Sequence, residues 1–163
     1  MERILSINEH YIKNLDAKEL YKKFKNYSDK YKKGISKKFE KNIMNSIHFL
    51  KNKAKSLEDI YNNAQYIMTE DLIVNKEMIG LIDDLSKKII NDFSKKIDNS
   101  NELNRENLEK YLKDLIDLYK TNFKGVGQPM RIALTGSKFG PGIYDIILSI
   151  NKKEVLKRLN KFK

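Results

Sequence analysis

The chain has no cysteine, two prolines and seven glycines in 163 residues. Without cysteine there is no disulfide scaffold, thiolate zinc site or thiol nucleophile, and a reducing compartment suits it. So few glycines and prolines argue against a turn-rich sandwich or barrel and for long helices. Histidine is equally scarce. His10 and His48 lie far apart, outside any HxxxH or HExxH spacing, and predict no zinc site. The sequence contains no GxxxxGK[ST] loop and no GxSxG elbow. The carboxylate pairs Glu58-Asp59 and Asp83-Asp84 are sequence neighbours, about 100° apart on a helix, so they do not converge on one ligand. No complete active site is legible. Uncharged runs such as Asn42–Leu50 are too short to span a bilayer. The opening Met1-Glu2-Arg3-Ile4 does not read as a signal peptide. The expectation is a soluble cytoplasmic protein of one domain or two small ones.

Positive charge is abundant. Lysine and arginine total 33 against 22 acidic residues, a net charge of +11. It is concentrated in two places. Residues 18–55 carry 13 basic and 3 acidic side chains, and residues 119–163 carry 10 and 2. The stretch 75–118 between them has 8 basic and 10 acidic. Two basic regions flanking a near-neutral middle attract polyanions through long-range fields and counterion release. The carriers are almost all lysine, with Arg3, Arg105, Arg131 and Arg158 the only arginines. Lysine meets phosphate as a point charge, whereas arginine reads planar edges with two parallel bonds. A lone arginine is therefore the stronger candidate for base reading.

Apolar residues recur at helical spacing along most of the chain. Stripes run through Ile35–Leu50, Leu57–Met68, Met78–Ile97, Leu108–Tyr119 and Ile143–Ile150. Asp16, Ser56, Asn75, Asn104 and Asn151 stand where N-caps are expected. No segment alternates with period two for long. The pattern predicts an all-α fold of two helical subdomains, residues 1–74 and 75–163, with the long third helix capped by Asn75. The one glycine-rich area, Gly125–Gly142, holds both prolines and a short apolar helix.

That area also carries a resemblance. Gly127-Gln128-Pro129-Met130-Arg131-Ile132-Ala133-Leu134-Thr135-Gly136, then Gly140-Pro141-Gly142, then Asn151 to Leu159, resembles the end of bacterial-type glutamyl-tRNA synthetase. There the pattern is AQPLRxALTG, a short loop, SPG or TPG, a hydrophobic helix and GKExxLxRL. Gly127, Gly140 and Asn151 replace the usual Ala, Ser or Thr, and Gly. Leu5–Ile12 resembles the LxxLNxxYI segment, Leu50–Leu57 the RxRxxTL segment, and Ala64–Asp71 the hinge between the two anticodon-binding subdomains. The HIGH and KMSKS motifs of the class I catalytic region are absent from these residues.

The resemblance implies a non-catalytic C-terminal half that recognises the anticodon loop of glutamate-type tRNA. It implies that ATP and magnesium belong to the catalytic half, so no cofactor is expected here. It places Lys53, at the second arginine of RxRxxTL, beside the last anticodon letter. Arginine there favours the glutamate anticodon, and its absence goes with tolerance of glutamine tRNA. It also places Arg131, Gly140, Pro141 and Ile143 around the anticodon-loop pocket, facing Lys53. These residue types suit the task. A splayed base needs a stacking plane, edge partners and phosphate neutralisation. Arg131 offers a plane and donors, Pro141 and Ile143 an apolar wall, and Lys51, Lys53, Lys55 and Lys138 charge. The expected partner is tRNA bound by a monomer, with no membrane. Two readings of the composition stay open beside it: a basic helical protein-interaction module, and a nonspecific polyanion binder.

Overall fold

The computed structural model describes residues 9–163. The Leu5–Asn8 part of the first resembling segment, with Arg3, lies outside them. Among the described residues every regular element is a helix, with no strand. It divides into two compact units, with the boundary between Glu70 and Asp71.

The first unit contains α1 (Glu9–Asn14), α2 (Ala17–Tyr31), α3 (Lys37–Leu50) and α4 (Leu57–Ala64). Helix α2 starts where Asp16 accepts the N–H groups of Lys18 and Glu19, satisfying orphan donors of the first turn. Leu20 and Phe24 on α2, Ile43, Ile47 and Leu50 on α3, and Ile60 and Ala64 on α4 form its core. Helices α2, α3 and α4 pack against one another. Ser56 and Asp59 cap α4 reciprocally: the Asp59 N–H donates to Ser56 Oγ, and the Ser56 N–H donates to the Asp59 carboxylate. His48 is exposed and meets the Phe49 ring edge-on at 5.3 Å.

The second unit contains α5 (Lys76–Ile79), α6 (Asp84–Asp98), α7 (Arg105–Tyr119), α8 (Phe123–Thr135), α9 (Ile143–Ser149) and α10 (Lys152–Leu159), followed by a 3₁₀ turn at Asn160–Phe162. Asn104, Asn122 and Asn151 cap α7, α8 and α10 through their side-chain oxygens.

Two sequence expectations need correction. The long helix capped by Asn75 is two helices. Asn75 caps only the single turn α5, which stops at Gly80, and Asp83 caps α6 by accepting the Ser86 N–H. Glycine and a second capping residue outweigh the continuing apolar period. Asp83 is therefore an exposed carboxylate that also serves as an N-cap. The glycine-rich area is likewise more ordered than it reads. Its helix runs 13 residues through Gly125, Gly127 and Pro129. Proline within a helix removes one backbone bond. Burial offsets that loss, because α8 packs on α6, α7, α9 and α10 and buries Val126, Met130, Ile132, Ala133 and Leu134.

Helix α8 is held at its far end by Arg158 of α10, which is 1% exposed. Arg158 Nη1 donates to the Leu134 carbonyl at 2.6 Å, and its Nε donates to Glu154 at 2.8 Å. Carbonyls in the last turn of a helix have no partner within it. A guanidinium supplies one here from the next helix but one.

Candidate nucleic-acid interface

In the first unit, Lys51, Lys53 and Lys55 lie on the turn from α3 to α4. Backbone bonds from Asn52 to Phe49 and from Ala54 to Lys51 close this turn, and Ala54 is buried beneath it. Lys53 and Lys55 are exposed on it. Lys51 has a different environment. Its half-buried side chain donates to the carbonyls of Lys13 and Leu15, at 2.8 and 2.9 Å. That ammonium is engaged at the C-terminal end of α1, where a cation also complements the helix dipole.

In the second unit, α8 presents one polar face. Lys124, Gln128, Arg131 and Thr135 follow at intervals of four, three and four residues, the spacing of a single helical face. Gly136 ends the helix at φ +76°, its N–H donating to Ile132 at 2.8 Å, in the left-handed conformation glycine adopts without strain. The loop from Ser137 to Gly142 then passes over this face. Arg131 Nε donates to the Pro141 carbonyl at 3.2 Å, and Nη1 makes a longer 3.5 Å bond to the Lys138 carbonyl. The Ser137 N–H donates to Thr135 Oγ1, and the Phe139 N–H to Ser137 Oγ. Gly140 has φ +127°, and a Cβ built there meets no atom within 4 Å.

Between helix and loop lies a cleft of about 440 Å³, lined by Phe123, Lys124, Gly127, Gln128, Arg131, Lys138 and Phe139. Three of the seven are cations and none is a carboxylate. Arg131 is half-buried within it, and that burial lowers its pKa; guanidinium nevertheless stays charged at any ordinary pH. Two of its N–H groups hold the loop. Lys138 Nζ stands 5.4 Å from the Phe139 ring centre. Behind the cleft, Phe123 packs on Tyr144, and the Arg105 guanidinium lies over Tyr144 at 5.0 Å.

The structure thus brings Arg131, Lys138 and Pro141 together through hydrogen bonds, with Gly140 in the same loop. Ile143 is 1% exposed. Its side chain belongs to the core beside Gly127 and reaches a ligand at most through its backbone. Of the residues lining this cleft, the sequence reading named Arg131 and Lys138 and missed Phe123, Lys124, Gly127, Gln128 and Phe139. The spacing from Lys124 to Gln128 and Arg131 could have revealed Lys124. Phe139 stands between Gly136 and Gly140-Pro141, where no continuing helix is available to bury it.

A basic, all-α unit with a cationic, aromatic-rimmed cleft on one helix has the electrostatic footprint of the helical nucleic-acid-binding domains. The chain belongs to the anticodon binding domain family, which matches residues 16–163. Over 159 residues it is 55% identical to a glutamate–tRNA ligase of Pelagibacter ubique, an alignment covering 98% of this chain and 34% of that protein. It is 27% identical to glutamate–tRNA ligase 2 of Zymomonas mobilis over 161 residues, with the same coverage of each. Its fold matches a glutamate–tRNA ligase of Elizabethkingia meningosepticum at a TM-score of 0.76 and 18% identity, covering 94% of this chain and 30% of that one. The 163 residues therefore span about a third of the length of these ligases. They are an anticodon-binding portion, without a catalytic domain among them.

Proposed function

We propose that this chain holds the anticodon loop of a glutamate-type tRNA as the anticodon-binding portion of a glutamate–tRNA ligase. The observation that carries this reading is the cleft on α8, where a half-buried arginine, two lysines and two phenylalanines converge without a carboxylate. Long-range attraction comes from the basic stretches 18–55 and 119–163, which draw in the phosphate backbone whatever its sequence. Base reading then falls to Arg131, with the backbone of Gly140 and Pro141 beside it. In the first unit, Lys53 and Lys55 neutralise phosphate or meet base edges. Lys53 carries charge but no planar fork, so glutamine tRNA is accepted alongside glutamate tRNA. Lys51 and Ile143 support these positions from within the fold. The protein acts as a monomer in the cytoplasm. No helix among the described residues is long and apolar enough to cross a membrane.

The test is a titration of the chain with glutamate tRNA, glutamine tRNA and an unrelated tRNA at two salt concentrations. The expected result is tight binding of the first two and weak binding of the third. Equal, strongly salt-dependent binding of all three would reduce the surface to a nonspecific polyanion binder. Arg131→Ala is expected to narrow the gap between cognate and unrelated tRNA more than it weakens binding of the unrelated one.

A further inference from the structure

Phe139 is 74% exposed, yet its backbone is firmly held. Its N–H donates to Ser137 Oγ at 3.1 Å, and the carbonyls of Lys138 and Pro141, on either side, both accept from Arg131. A large ring kept in water on a fixed loop forgoes the stabilisation that burial would give it. A ligand that covers it meets a surface already ordered. Phe123, 47% exposed, lines the same cleft. The cleft's volume lies within the roughly 300–1,000 Å³ range of small-ligand sites. Its charged lining residues are Lys124, Arg131 and Lys138 alone, which favours a planar apolar group attached to a phosphate over an acidic or neutral peptide.

We propose that Phe139 is the stacking face for one unpaired nucleobase of the bound RNA. The base enters the cleft over the Phe139 ring, and Lys138 neutralises the phosphate beside it. Arg131 and Gln128 offer N–H groups to the base edge. Every base has a π-face, so Phe139 contributes affinity and lodges the base, while the neighbouring polar groups discriminate. Gly140 clears the space next to the ring, because no side chain fills it. This assignment rests on the RNA-binding reading above and adds to it the residue that seats a base.

The experiment uses the whole chain and an RNA hairpin carrying the glutamate anticodon loop, together with hairpins in which each loop nucleotide in turn is abasic. Phe139→Ala is expected to weaken binding of the intact hairpin about five- to 150-fold, the range that stacking on one aromatic carries. The slope of affinity against salt should not change, because no charge is removed. One abasic hairpin should show a similar loss with the unaltered protein, and combining it with Phe139→Ala should add little further loss. Phe139→Tyr should bind as the unaltered protein does, and Phe139→Leu as the alanine variant. Thermal unfolding should leave all three variants folded, since the side chain is exposed. Unchanged affinity of Phe139→Ala, or losses that multiply at every abasic position, would overturn the stacking role and leave the RNA reading intact. If the substitution instead changes only self-association in sedimentation, the ring serves a second copy of the chain and the proposal falls. If the unaltered protein binds no hairpin above a scrambled loop, the RNA reading itself fails and takes the stacking role with it.

Discussion

Replacing Arg158 with methionine should destabilise the second unit, and the magnitude follows from its contacts. The substitution keeps an unbranched apolar stem in a site that is 1% exposed, so little packing is lost. It deletes a charged donor to the Leu134 carbonyl at 2.6 Å, and a hydrogen bond to a charged group contributes about 1.5–3 kcal/mol. It also leaves Glu154, whose side chain is 22% exposed, without its 2.8 Å partner. Because water still reaches that carboxylate, the added cost is about 0.5–1 kcal/mol. Together the loss is about 2–4 kcal/mol, which in a protein of this size lowers the unfolding midpoint by roughly 5–15 °C. The effect extends to the cleft. Leu134 lies one turn beyond Arg131 on α8, and a frayed end there releases the loop that Arg131 holds. Thermal and urea unfolding of Arg158→Met, Glu154→Gln and the double variant measure the loss and the coupling between the two residues. Arg158→Met as stable as the parent, or more stable, would refute the reasoning. It would mean that desolvating the guanidinium costs as much as its bonds return, as happens when some buried ion pairs are replaced by apolar side chains.

Four further substitutions probe other parts of the structure. Lys51→Ala is expected to destabilise the first unit by about 1–3 kcal/mol, because two carbonyls lose a charged donor. Lys53→Ala should leave stability unchanged and lower the salt slope of RNA binding by roughly one; unfolding curves and salt titrations of the two variants separate these roles. Gly127→Ala should stabilise the chain by about 0.5–1 kcal/mol. A mid-helix glycine carries an entropic cost of that size, and the new Cβ would lie 3.7 Å from the Phe123 ring and 4.0 Å from Ile143, in ordinary contact; a lowered unfolding midpoint would show that the site has no room. Tyr119 donates to Asp92 at 2.7 Å, joining α7 to α6. Burial first, then this bond, pushes its hydroxyl from an ordinary 10.0 to about 12. The folded state therefore holds the proton more tightly. The resulting stabilisation is complete below pH 10 and is lost as pH rises through 12. Tyr119→Phe should remove a phenolate absorbance transition near pH 12 and flatten the fall in stability between those values.

The sequence alone determined the helical character of the chain, its caps and its basic regions, because those properties are local. Asp16, Ser56, Asn104 and Asn151 bond to N–H groups two or three residues ahead, so a reader of spacing finds them without any tertiary contact. Among four arginines, Arg131 stood out only through the resemblance of its segment to a known family, not through any local spacing. The break at Gly80–Asp83 was harder, because an unbroken apolar period masked two caps. What only the tertiary structure decided is which groups remain available. Lys51 and Lys53 are two residues apart and look alike in sequence. One ammonium is engaged by the carbonyls of Lys13 and Leu15, 36 to 38 residues away, while the other is exposed. Ile143 and Phe139 are both apolar residues of one short stretch. The first is core because α8 packs on α9, and the second stands in water because Arg131 holds its loop away from that core. Such contacts join residues distant along the chain, and no local spacing encodes them. The cleft of Phe123, Lys124, Arg131 and Phe139 therefore exists only once α8 and the loop after it have folded against each other.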